Sequence, residues 1–100
     1  MKAVTLLREV VEADSLHVLA NLRLGEFSMM SGQYDGALRR FQRVVSADSN
    51  NADGLIGLAN ANLALGRQPD ALDLLTRANE LLDTGSVKAA VEQMIIELKN

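Results

Sequence analysis

The sequence predicts an all-α solenoid of stacked helix hairpins, and three observations lead to it. One pattern recurs at a fixed spacing, with Gly32 and Gly66 standing 34 residues apart at the same point of two copies. Apolar residues fall at helical spacing throughout, and a period of two occurs nowhere, so no strand is expected. Capping and turn residues punctuate the chain often enough that only short connections remain between helices, and short connections force antiparallel neighbours.

The repeat extends well beyond the glycines. The same offset superposes Leu24 on Leu58, Gly25 on Ala59, Ala37 on Ala71, Leu38 on Leu72, Phe41 on Leu75, Arg43 on Arg77 and Val44 on Ala78. Applied the other way, it superposes Ala3 on Ala37, Leu7 on Phe41, Val10-Val11 on Val44-Val45 and Ala13-Asp14-Ser15 on Ala47-Asp48-Ser49. Two full copies flanked by partial ones are therefore expected. A period between about 20 and 50 residues marks stacked supersecondary units, none of which buries its apolar face alone.

Helices are expected at 2–13, 17–30, 34–47, 51–64, 69–82 and 87–99. Val4, Leu7, Val10 and Val11 share a face of the first. Leu38, Phe41, Val44 and Val45 do so in the third, and Leu72, Leu75, Ala78 and Leu82 in the fifth. Ser15 and the Ser49-Asn50-Asn51 run are capping residues, and Gly32 and Gly66 can take the left-handed conformation that ends a helix. Pro69 follows Gly66 where the missing N–H of a first helical turn costs nothing. Gly25 and Ala59, with Ala37 and Ala71, let paired helices approach to about 8 Å. Phe41 and Leu75, one turn on, fill the space where each hairpin opens. Gly54 and Gly57 lie inside a predicted helix, where each costs about 1 kcal/mol against alanine. Close contact with a neighbouring helix accounts for them, and approach of a ligand backbone is the functional alternative. Gly36 carries the same cost without a visible return.

Composition bounds the functions open to such a chain. At 100 residues it is one small domain, and no apolar run approaches the roughly 20 residues of a membrane span. A net charge of −3 gives no general attraction to nucleic acid or anionic lipid. The opening Met1 to Glu9 places charges too early for a secretory signal, so a cytoplasmic setting is the default. With one histidine and no cysteine, zinc and nucleophile-base sites lack their usual parts, and no metal or cofactor is expected. His17 reads as a residue of the turn into a helix. Asp70 with Asp73, and Glu9 with Glu12, lie three apart on exposed helix faces with nothing to raise a carboxyl pKa for acid catalysis. The chain is not expected to be an enzyme. Arg39, Arg40 and Arg43 share a face of the third helix and could meet phosphate or an acidic partner. No aromatic platform accompanies them, so a solvated outer face is favoured over nucleic-acid recognition.

The spacing of Ser31-Gly32-Gln33-Tyr34-Asp35-Gly36-Ala37-Leu38, the leucine-small pairs Leu24-Gly25 and Leu58-Ala59, and the Ala37, Phe41, Val44 and Ala71, Leu75, Ala78 series resembles the tetratricopeptide repeat. The resemblance covers essentially the whole chain. It departs at Asn21, where an aromatic is common, at Ser28 and Asn62, where a tyrosine is usual, and at Ser49 and Asp83, where proline is favoured. It implies a right-handed superhelix divided into the second helix of a partial repeat at 1–17, repeats at 18–51 and 52–85, and a capping helix at 86–100. It also implies a protein-binding scaffold whose first helices line a concave groove. Carried over, the groove positions are Leu19, Leu22, Glu26, Met29 and Met30 in the first copy and Asp53, Ile56, Asn60, Leu63 and Ala64 in the second. The closing helix adds Met94, with Val87 and Ala90 or Val91. Leu19, Leu22 and Ile56 read equally as core, since apolar residues at helical spacing usually are. Leu22 and Ile56 stand where carboxylate-clamping members have lysines, and only Asn60 fits that scheme, so no carboxylate clamp is expected.

At the ends, Leu6, Leu7, Val10 and Val11 are expected to have one neighbour only, because the first unit lacks its first helix. Val87, Val91, Met94, Ile95 and Leu98 form a second stripe, with Ile96 pointing away. Such strips belong to a longer solenoid, to a homodimer formed through the end helices or to the partner site itself. A piece of a longer protein that also self-associates in isolation is favoured.

Overall fold

The computed structural model describes residues 2–14 and 17–100. Over these residues the chain forms six helices, α1 (Lys2–Ala13), α2 (Val18–Met30), α3 (Tyr34–Ala47), α4 (Ala52–Ala64), α5 (Gln68–Leu81) and α6 (Ser86–Lys99). Each boundary falls within one residue of its sequence expectation, and among the described residues there is no strand. Ser15, expected as a cap, lies outside the described residues.

The helix ends follow from local chemistry. His17 caps α2 through Nδ1, which accepts from the backbone N–H of Ala20 at 3.1 Å. Asn51 caps α4 in the same way, its Oδ1 accepting from the N–H of Gly54 at 2.9 Å. Both inner helices end alike. At φ +76° and +79°, Gly32 and Gly66 turn the chain left-handed. The following N–H groups, of Gln33 and Arg67, then reach back to the carbonyls of Ser28 and Asn62 at 2.8 Å. This paired C-terminal motif satisfies carbonyls the helix cannot, and it fixes the angle at which α3 and α5 return. Pro69 lies one residue further into α5 than expected, still in the first turn.

The helices stack in series, with consecutive helices packed on each other and α2 also touching α4. The result is elongated, 41 × 26 × 21 Å. Its core is accordingly three successive clusters. Val11, Ala20 and Leu24 join α1 to α2. Leu22, Ala37, Phe41, Val44, Leu58 and Ala61 join α2, α3 and α4. Ala59, Ala71, Leu75 and Val91 join α4, α5 and α6. α6 is also tied back by Lys88, whose ammonium donates to the carbonyl of Asn79 at 2.9 Å and to its side-chain oxygen at 3.0 Å.

The end strips are more covered than the sequence suggests. Val4 and Leu7 pack against the α1–α2 cluster, and Val11 is buried in it. At the other end Met94, Ile95 and Leu98 pack against the α4–α5 cluster around the buried Val91. Each strip faces the adjacent helix, which is enough to cover most of it. Leu6 (60% exposed), Val10, Val87 and Ile96 (53% exposed) remain outside.

Phe41 sets the closest helix approaches. A Cβ at Gly25 on α2 would lie 2.7 Å from its ring, and one at Gly57 on α4 would lie 2.5 Å from the same edge. Gly54 is held similarly, with Val44 Cγ1 2.6 Å from the position a Cβ would take. Helix contact thus explains both glycines of α4. At Gly36 a Cβ would meet nothing nearer than 3.7 Å. Gly57→Ala is expected to destabilise by about 1–2 kcal/mol, the cost of overpacking less the gain in helix propensity. Gly36→Ala should instead stabilise by about 0.5–1 kcal/mol. Urea unfolding of both variants measures the opposite signs.

Candidate partner-binding groove

The inner helices α2 and α4 run side by side and leave a groove between them of about 780 Å³. Arg23, Glu26, Met29 and Met30 line it from α2, and Asp53, Ile56, Gly57 and Asn60 from α4, with Phe41 of α3 reaching in between. Phe41 reaches it because Gly25 and Gly57 present no side chain to stop it. Met30 is the most open large apolar residue among the described residues, at 82% exposure. Its neighbour Met29 is half-buried, packed at once on the core and on the groove.

Of the sequence-assigned groove residues, six line this cavity: Glu26, Met29, Met30, Asp53, Ile56 and Asn60. Leu19 is exposed but outside it. Leu22, at 8% exposure, belongs to the core with Phe41 and Leu58. That cluster also holds Ala37 and Val44 of α3, so Leu22 is placed on the core side of α2. Leu63 and Met94 are half-buried on the α4–α5–α6 cluster and not on this groove. Ala64 is exposed.

Three lining residues were outside the sequence assignment. Arg23 precedes Glu26 by one turn and shares its face, a signal present in the helical spacing. Its Nη1 lies 3.0 Å from both oxygens of Glu26. Both side chains are about half exposed, so the pair shapes the rim and adds little stability. Phe41 and Gly57 could not be found from spacing alone, because one belongs to an outer helix and the other has no side chain. The groove is thus an apolar floor of Phe41, Ile56 and Met29 under a rim of mixed charge.

The outer helices carry a second feature. Arg8 of α1 comes beside Arg39, Arg40 and Arg43 of α3, and all four line a cleft of about 310 Å³ over α2. The expectation of a freely solvated arginine face is corrected at Arg40. Its Nη1 is buried, and no acceptor among the described residues lies within hydrogen-bond reach. Burial, and then the charges of Arg43, Arg8 and Arg39, hold its pKa below the ordinary guanidinium value. Among the described residues no group of three or more His, Cys, Asp or Glu side chains could hold a metal ion. No described helix is long and apolar enough to cross a membrane.

Comparison with known proteins agrees with this architecture. Two crystal structures of MamA superpose with TM-scores of 0.83 and 0.82, each 25% identical and each covering 95% of this chain. The match takes in 54% and 50% of those chains. Cellulose synthase 1 operon protein C of Komagataeibacter xylinus is 34% identical over 58 residues, 58% of this chain. The chain spans only 4% of that relative's length. A sequence model described as tetratricopeptide repeat matches residues 28–94. With glycine-ended inner helices, small residues at the helix contacts and this match over most of its length, the chain belongs to the tetratricopeptide repeat family, whose fold is a scaffold for protein–protein interaction.

Proposed function

We propose that the α2–α4 groove binds an apolar segment of another protein, either an extended peptide or one face of a helix, without catalysis. The observation that carries this reading is the concave floor of Phe41, Ile56 and Met29 with the open Met30 beside it. Methionine's flexible, polarisable chain adapts to different apolar shapes. The volume lies within the range of pockets that take ordered ligands, roughly 300–1,000 Å³. An inner helix of 13 residues is about 20 Å long, which accommodates roughly six extended residues. Arg23, Glu26, Asp53 and Asn60 on the rim supply polar contacts for orientation. In this reading 18–51 and 52–85 are the two repeats that face each other across the groove.

Random peptides displayed on phage and selected on the wild-type protein test the proposal. Enriched sequences are expected to be apolar and to bind Met30→Glu/Asn60→Glu at least about tenfold more weakly. Their affinity for Leu6→Glu should be unchanged. Equal binding to the groove variant would remove the groove from the function.

A second reading is favoured by a separate observation, the exposure of Leu6 and Ile96 on the two end helices. Here Leu6 and Val10, or Ile96 with the edge of Ile95, join copies of the chain into a homo-oligomer. Leu7 is excluded as a probe because it packs in the α1–α2 core. Light scattering over a concentration series is expected to give a mass above the monomer that falls in Leu6→Glu or Ile96→Glu. A monomer at every concentration would end this reading.

A further inference from the structure

The cleft between α1 and α3 has an internal counterpart. The same offset of 34 residues carries it onto the cleft between α3 and α5, which has a similar volume of about 380 Å³. The apolar and polar walls correspond, Leu24 to Leu58 and Ser28 to Asn62. The charges do not. Arg8 is matched by Gln42, Arg39 by Asp73 and Arg40 by Leu74, while Arg43 keeps its charge as Arg77. The second cleft holds two arginines and two aspartates, and the first holds four arginines and no carboxylate.

This difference is informative because the fold does not ask for it. Leu74, in the place of Arg40, packs against two of the core clusters. Arg40 instead brings a guanidinium into the cleft with Nη1 buried and without an acceptor among the described residues. Three further guanidiniums surround it. Among the described residues none of the four forms an ion pair with a carboxylate. Burying charge without a partner and clustering like charges both oppose folding, whereas a bound anion reverses the sign of both.

We infer that the α1–α3 cleft is a binding site for a phosphoryl oxyanion, held by Arg8, Arg39, Arg40 and Arg43. One arginine fork saturates a planar carboxylate, while guanidiniums arriving from two helices suit the several acceptor oxygens of a tetrahedral group. Ser28 and Gln33 on the wall provide uncharged donors. The cleft is at the small end for ligand pockets, so it takes the phosphoryl group and its immediate attachment. Free phosphate and a phosphorylated side chain of a partner share this chemistry. The site is built by the outer helices and is independent of the groove reading.

The test compares the full chain with Arg40→Leu, the residue that the matching cleft carries, in a low-salt buffer without phosphate. The variant is expected to melt at a higher temperature than wild type. Added inorganic phosphate should raise the wild-type melting temperature saturably, beyond sodium chloride of equal ionic strength, and should bind the variant at least about tenfold more weakly. Arg8→Gln, an exposed change to the residue of the matching cleft, should weaken binding in the same direction and serves if Arg40→Leu does not fold. A phosphoserine peptide run in parallel identifies the source, since it binds more tightly than free phosphate only if a partner side chain supplies the group. A phosphate effect equal to that of sodium chloride, or equal in wild type and Arg8→Gln, overturns the site. Amide NMR shifts on phosphate addition confined to residues away from Ser28, Gln33 and α3 would do so as well.

Discussion

The contact of one ring edge with two glycines sets the spacing of the whole repeat. Phe41 presents the same edge to Gly25 and Gly57, where no Cβ could be accommodated without moving the ring. It therefore packs between α2 and α4 while belonging to α3. Two inner helices that share an aromatic wedge cannot close on each other, and the space they leave is the groove. The glycines cost helix propensity, and the buried ring offsets that cost, since burying a phenylalanine contributes on the order of 2–3 kcal/mol. Leu75 holds the corresponding place in the next hairpin, where Ala59 replaces Gly25, and the smaller side chain needs a smaller notch.

The groove's chemistry follows from that construction. Residues turned toward α3 are taken into the core, as Leu22 is, and those turned toward the gap stay accessible. Met29 and Ile56 lie on the border, touching both core and groove, so the floor is continuous with the core. Met30 stands open beside it, and the rim carries the Arg23–Glu26 pair. The result is an apolar floor under a polar and charged rim.

Repetition also makes the chain its own comparison. Corresponding clefts on the outer helices have the same walls and different charges, so the fold explains the walls alone. The burial of Arg40 Nη1 without an acceptor among the described residues, beside three other arginines, is a local conflict within an otherwise consistent structure. Such conflicts concentrate where a sequence answers to something besides folding.

By itself the sequence determined the number of helices, their ends and their order, because these depend on local chemistry. A glycine that can turn left-handed, a side chain such as Asn51 that caps, and apolar residues at helical spacing act over a few residues and are visible in any short window. The 34-residue period then required like units to stack, and with it came the family resemblance. Six of the nine residues that line the groove were legible for the same reason, since they sit at repeated positions on the inner helices. Tertiary structure alone decided which face of each position meets a neighbour. It moved Leu22, Leu63 and Met94 onto the core, drew Phe41 into the groove from an outer helix, and covered Leu7 and Ile95 at the ends. It also brought Arg8 beside arginines more than 30 positions away. Helical period gives an angle around an axis, but burial and charge depend on what lies opposite, and that is fixed only when the helices pack.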